Sequence, residues 1–146
     1  MRPRDVTIVV LNDFAYVNGG AAQGGLASAK ALSSRGYNVI FFSAVGPGST
    51  DLQQREMATL LSQLNPAATI IHVHGWTKAL SASVVRQAVV RGFRVVCTLH
   101  DYFSACPNGA LFHYPKGEAC HLRPLSLGCI ASHCDKRNYA HKLRRV

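Results

Sequence analysis

The sequence predicts an α/β fold: a Rossmann-like parallel sheet of about four strands with helices on both faces, followed by a loop-rich C-terminal segment containing cysteines. Three observations predict it. Short apolar, β-branched runs alternate with segments of helical period. The connections between them are short, as right-handed β-α-β crossovers require. The periodicity then fails from Asp101 onward, and four of the five cysteines lie beyond that point.

The first strand is read at residues 6–11 (VTIVVL), a continuous apolar run suited to burial on both faces. After the loop NDFAYVNGG, residues 22–34 read as a helix that stops before Gly36. Residues 38–43 (NVIFFS) form the second strand, and Gly46-Pro47-Gly48 reads as a turn. The second helix covers residues 51–64, with Leu52, Met57, Leu60, Leu61 and Leu64 as its apolar stripe. Thr50 and Gln53 have capping-box spacing at its start. Residues 69–73 (TIIHV) are the third strand. Ser81 caps a third helix running to about Arg91, with Val84, Val85, Ala88 and Val89 inward. Residues 94–99 are the fourth strand, with Cys97 expected inside it as a buried small hydrophobe, and a last helix is expected from about Arg137.

The length of 146 residues fits a single domain over residues 1–146, with the cysteine-containing loops at 102–135 inside it. Apolar residues make up 48%, enough for a packed core and too many for a disordered tail. No apolar run approaches the roughly 18 residues of a membrane span. The basic, then apolar N-terminus is short and runs into Asn12-Asp13, so it reads as a strand and not as a signal peptide. The expected address is therefore cytoplasmic. Sixteen Lys and Arg against seven Asp and Glu give a net charge of +9, which favours anionic partners without choosing among them.

In open parallel sheets, ligands bind outside the carboxyl ends of the strands, where the strand order reverses. The unusual polar residues of this chain fall at those ends. Asn12, Asp13, Gly19 and Gly20 follow the first strand; His74, Trp76 and Lys78 follow the third; His100 and Asp101 follow the fourth. Polar residues are common in any loop, so the weight rests on three loops converging on one rim. The glycines of NGGAAQGG are not a dinucleotide fingerprint, because seven residues separate Gly19 from the strand. No Asp or Glu lies between Asp13 and Asp51 to hold a ribose, so NAD is not expected. Those glycines serve either a phosphate or sugar approached by backbone amides, or a tight loop and close helix packing.

In combination, NDFAYVNGGAAQ, HVHGWTKALS and VVCTLHDYFSACPNG resemble the N-terminal domain of a family 4 glycosyltransferase, from about Val6 to the end of the chain. The resemblance implies the GT-B architecture, in which an N-terminal Rossmann-like domain holds the acceptor and a C-terminal domain binds a nucleotide-sugar donor. It implies transfer with retention of configuration and no metal or other cofactor for catalysis. It places Gly19 and Gly20 beside the donor phosphate and His100 beside the transferred sugar, as the catalytic-cleft histidine. Asp101 is expected to orient His100 or bind the acceptor, and Lys78 to meet phosphate. The family's donor-binding half is not in this sequence, and the segment between the second and third strands is shorter than the family's. The expectation is thus an N-terminal domain or fragment, inactive alone, that acts on an envelope, polysaccharide or lipid-linked acceptor once joined to a donor-binding domain.

Cys106, Cys120, Cys129 and Cys134 are spaced C-x13-C-x8-C-x4-C. Two readings of them stand, a structural zinc site and free thiols; disulfides are disfavoured in a cytoplasmic chain. His113, His121 and His133 are alternative ligands. The run RNYAHKLRRV puts Arg137, His141, Arg144 and Arg145 near one helical face, with Lys142 beside it, either as a solvated surface or as a peripheral contact with the anionic inner membrane face. Tyr139 and Leu143 alone are too few apolar anchors for strong insertion. The alternative function is a basic, zinc-stapled module binding nucleic acid or other anions without catalysis. It accounts for the charge and the cysteines but not for the polar rim, so nucleic acid is not the expected partner.

Overall fold

The computed structural model describes residues 2–45 and 53–144. The Gly46-Pro47-Gly48 turn, the Thr50 capping box, Leu52 and Arg145 lie outside the described residues. The chain divides into two compact units, Met1–His100 and Asp101–Val146. That boundary falls where the sequence periodicity ends.

The first unit is the predicted α/β layer structure. Its elements are β1 (Thr7–Phe14), α1 (Gly20–Ser34), β2 (Asn38–Val45), α2 (Gln53–Ser62), β3 (Thr69–Val73), α3 (Ala82–Val90) and β4 (Arg94–Cys97). The four strands are parallel in the order β2-β1-β3-β4. Thr7 of β1 is in register with Asn38 of β2 on one side and Thr69 of β3 on the other. The chain leaves β1 in one direction and returns past it to reach β3. The strand order therefore reverses between β1 and β3, and a crevice opens at their carboxyl ends.

Alternation along β1 sorts its side chains between the two faces. Val9 and Leu11 join Ile71 and Val73 of β3, Met57 and Leu61 of α2, and Val84 and Ala88 of α3 in the main core. Each of these is nearly or fully buried, so truncating Leu11 to Ala should cost about 3 kcal/mol. The opposite face packs on α1. There Gly25 is buried, and a Cβ on it would stand 3.5 Å from the His74 Cβ and 3.6 Å from the Asn12 Cβ. A glycine at this position lets the helix lie close over the strand ends.

Several boundaries differ from the sequence reading. β1 runs on to Phe14, so Asn12 and Asp13 are not in a loop but form the last rungs of the strand; Asn12 is in register with Ser43. The ladder persists because β2 also continues, to Val45, whose carbonyl accepts from Ala15 N at 2.8 Å. β4 ends early, at Cys97, since β3, its neighbour in the sheet, stops at Val73. Cys97 is exposed, not buried, because β4 is an edge strand. Val89 is likewise 57% exposed on the outer side of α3. Ser81 does cap α3, accepting from Ser83 N at 3.2 Å.

The second unit has little apolar core. It holds a two-residue hairpin, β5 (Phe112–His113) with β6 (Glu118–Ala119), then α4 (Leu127–Ala131) and α5 (Tyr139–Leu143). Asn108, buried, ties it together. Its Nδ2 donates to the carbonyls of Phe112 (2.7 Å) and Cys134 (3.2 Å), while its Oδ1 accepts from Ala110 N and the Cys106 thiol, each at 3.0 Å. Lys142 is not on the basic surface face expected of it: its side chain is fully buried, because it donates to the carbonyls of Cys129 and Ser132, and the Tyr139 hydroxyl donates to Ile130 O at 2.7 Å. These bonds hold α5 against α4.

Candidate functional site

The site grows from the sequence His72-Val73-His74. Two histidines separated by one residue of a strand share a face, and here that face is the one covered by α1. Their rings lie 4.2 Å apart, centre to centre. His72 Nε2 is 2.8 Å from Thr98 Oγ1. The backbone fixes the rest. His74 N donates to Leu11 O at 2.8 Å, and Thr98 N donates to Val73 O at 2.9 Å, after which the chain turns into Leu99 and His100.

This brings His100 back over His74. The rings stack at 5.2 Å with 28° between their planes, and His74 Nδ1 lies 3.0 Å from His100 Nε2. One nitrogen carries the proton of that bond and the other accepts it, so the tautomers of the two rings are linked. His74 is 4% exposed, and its Nε2 has no hydrogen-bond partner among the described residues. Burial, then the neighbouring His72 and His100, hold His74 down to a pKa of about 4. Burial, and then His100, lower His72 as well. His74 is consequently neutral at pH 7, a buried imidazole backing the exposed ring of His100.

Gly24, in the second turn of α1, makes room for this pair. A Cβ there would stand 2.9 Å from His100 Cε1 and 3.8 Å from His74 Nδ1. At the N-cap of the same helix, Gly19 has φ +94°, and a Cβ on Gly19 or Gly20 would meet nothing within 4 Å. The helix start is thus open, and the first-turn amides of α1 carry the positive end of the helix dipole.

Asn12 and Asp13 turn inward. Asn12 Nδ2 donates to Phe14 O at 2.7 Å. The Asp13 carboxylate accepts from the backbone amides of Lys78 (3.2 Å), Ala79 (2.9 Å) and Leu80 (2.7 Å). It anchors the loop that leads into α3. That loop must pass close: a Cβ on Gly75 would lie 2.8 Å from Asn12 Oδ1 and 3.2 Å from Asp13 Oδ2. Trp76 packs against the main core, and Lys78 is exposed. Asp101 begins the second unit, where its carboxylate accepts from Phe103 N at 3.1 Å.

Of the residues expected at the rim, the structure therefore brings His74 and His100 into contact. Asn12 and Asp13 hold the same strand ends from within. The sequence reading did not single out His72 or Thr98; Gly24 was read within NGGAAQGG, where close helix packing was one of two alternatives, and Gly75 only as part of the loop after the third strand. The alternation His-Val-His was the available signal for His72; nothing local marks Thr98.

In the second unit, Cys106, Cys129 and Cys134 are buried, Cys120 is partly exposed, and none is in a disulfide. Burial, the largest effect, raises the Cys134 thiol, although the nearby Lys142 ammonium opposes this. Among the described residues, no group of three or more His, Cys, Asp or Glu could hold a metal ion. Among them, too, no helix is long and apolar enough to cross a membrane.

Comparison of the chain with protein-family models, with curated proteins and with solved structures returns no match.

Proposed function

We propose that this chain is the acceptor-side domain of a retaining, two-domain glycosyltransferase of the family 4 type. In this reading it acts on a nucleotide-sugar donor once joined to a donor-binding domain. The observation that carries the proposal is the His74–His100 contact at the carboxyl ends of the strands, seated against Gly24 of α1. An exposed imidazole backed by a buried neutral one is suited to sugar chemistry. When His100 Nε2 accepts from His74 Nδ1–H, the His100 proton sits on Nδ1, where it can bond a sugar hydroxyl. Held in that orientation, the ring keeps its N–H aimed at the sugar hydroxyl without reorganising. The open amides at Gly19 and Gly20 suit the diphosphate of the leaving group. Catalysis in this scheme uses no metal.

The test is an imidazole and amide NMR titration of the full chain with a panel of nucleotide-sugars and short glycans. Saturable shifts at His100, Gly19 and Gly20, weakened at least about tenfold by His100→Ala, are expected for a lost hydrogen bond that leaves its sugar partner unpaired. A chain that responds to no sugar or nucleotide-sugar, yet binds random oligonucleotide with a steep loss in salt, is instead a nucleic-acid-binding module.

A further inference from the structure

The chain contains two Asn-Gly dipeptides, Asn18-Gly19 and Asn108-Gly109. Asparagine is chemically labile, and most so before glycine, which has no side chain to shield its amide nitrogen from the neighbouring carboxamide. Deamidation needs two freedoms there. The carboxamide must swing onto the main chain, and the glycine N–H must be unbound. The fold treats the two pairs in opposite ways.

At the second pair both freedoms are withheld. Asn108 is 8% exposed, and its carboxamide is held by hydrogen bonds to Phe112, Cys134, Ala110 and Cys106. Gly109 N donates to Cys106 O at 2.8 Å, closing a turn through Pro107 and Asn108. A Cβ on Gly109 would stand 2.5 Å from the Phe103 ring, so the packing demands the glycine. At the first pair both freedoms are granted. Asn18 and Gly19 are exposed, between the exposed Val17 and the start of α1. Among the described residues, neither the Asn18 side chain nor Gly19 N makes a hydrogen bond, and a Cβ on Gly19 would meet nothing within 4 Å.

We propose that Asn18 is a modification site: it deamidates spontaneously in the folded chain, whereas Asn108 does so only when the second unit opens. Gly19 N attacks Asn18 Cγ, the Cγ–Nδ2 bond breaks, and the amide nitrogen leaves as ammonia with the proton from Gly19. Water then opens the cyclic imide at either carbonyl. The products are aspartate and isoaspartate, the latter with its main chain rerouted through Cβ and Cγ. Either product lowers the net charge of +9 by one. The helix is spared, since the bond from Gln23 N to Gly19 O at 3.1 Å lies beyond the altered link. The new carboxylate stands next to the Gly19 and Gly20 amides, so in the glycosyl-transfer reading it repels the donor diphosphate. The modification itself does not rest on that reading.

The experiment ages the full chain in mildly alkaline buffer, native and in urea, and fragments the tryptic peptides 5–30 and 95–116 to locate the converted residue. No sugar enters the assay, so its outcome is separate from that of the nucleotide-sugar titration. In the native chain Asn18 should convert at least about tenfold faster than Asn108, a ratio set by how seldom the second unit opens. In urea both dipeptides are equally free, and the rates should converge. Asn18→Gln, at an exposed position without a side-chain hydrogen bond among the described residues, should abolish the first acidic species that cation exchange separates from the native chain. Equal rates in the native chain, no conversion of Asn18, a difference that persists in urea, or an acidic species undiminished by Asn18→Gln would each overturn the proposal.

Discussion

His74 Nδ1 and His100 Nε2 meet at 3.0 Å although 26 positions separate them in the chain. The contact exists because β3 and β4 are parallel and in register, with Val73 opposite Cys97, so the residues that follow each strand leave the sheet side by side. Whatever His100 does at the rim, it does with a proton shared with a buried, neutral partner.

That partner makes the fold sensitive to acid. Above the ordinary histidine value of 6.5, His74 is neutral in both the folded and the unfolded chain and contributes nothing to the pH dependence. As the pH falls from there toward 4, the unfolded chain binds a proton that the folded chain refuses. Stability should drop by about 3 kcal/mol across that window. The lowered His72 adds in the same direction. Urea midpoints measured at about pH 7.5 and about pH 4.5 should show the fall in the native chain, and a smaller one in His74→Gln.

Gly24→Ala should disturb the site more than the fold. The new methyl would meet His100 Cε1 at 2.9 Å, and the exposed His100 ring is free to swing away while α1 gains a better helix former. The expected result is a changed His100 Cε1–H resonance and a His74 ring released from its bond, with the thermal midpoint within a few degrees of the native value. An unchanged imidazole spectrum would show that the two rings do not pack on α1 in solution.

Asp13→Ala should act in the opposite way, on stability first. It strips the acceptor from three backbone amides at Lys78, Ala79 and Leu80, in a buried place where water does not easily replace it. A loss of about 3 kcal/mol is expected by denaturant titration. Amide exchange should accelerate first at residues 78–80.

Lys142→Met tests the brace in the second unit. Methionine keeps the apolar stem but leaves the Cys129 and Ser132 carbonyls without their buried donor. The cost should be about 2 kcal/mol, read as faster amide exchange across α4 and α5 while β1 and β3 stay protected.

The sequence by itself determined the kinds of element and their order. Unbroken apolar runs marked the strands and, in β1, burial on both faces; helical spacing marked α2 and α3, Ser81 marked a cap, and the loss of period at Asp101 marked the edge of the first unit. All of these are local signals, carried by the alternation and composition of neighbouring residues. In the second unit, α4 and the β5–β6 hairpin escaped notice because elements of five and two residues are too short to set up a period. Only the tertiary structure decided that Asn12 and Asp13 face inward, that Cys97 lies on an open edge, and that His74 meets His100 beneath Gly24. Each of these depends on strand order, register or the closeness of a backbone pass. Those quantities join residues distant in the chain, and no period within one segment records them.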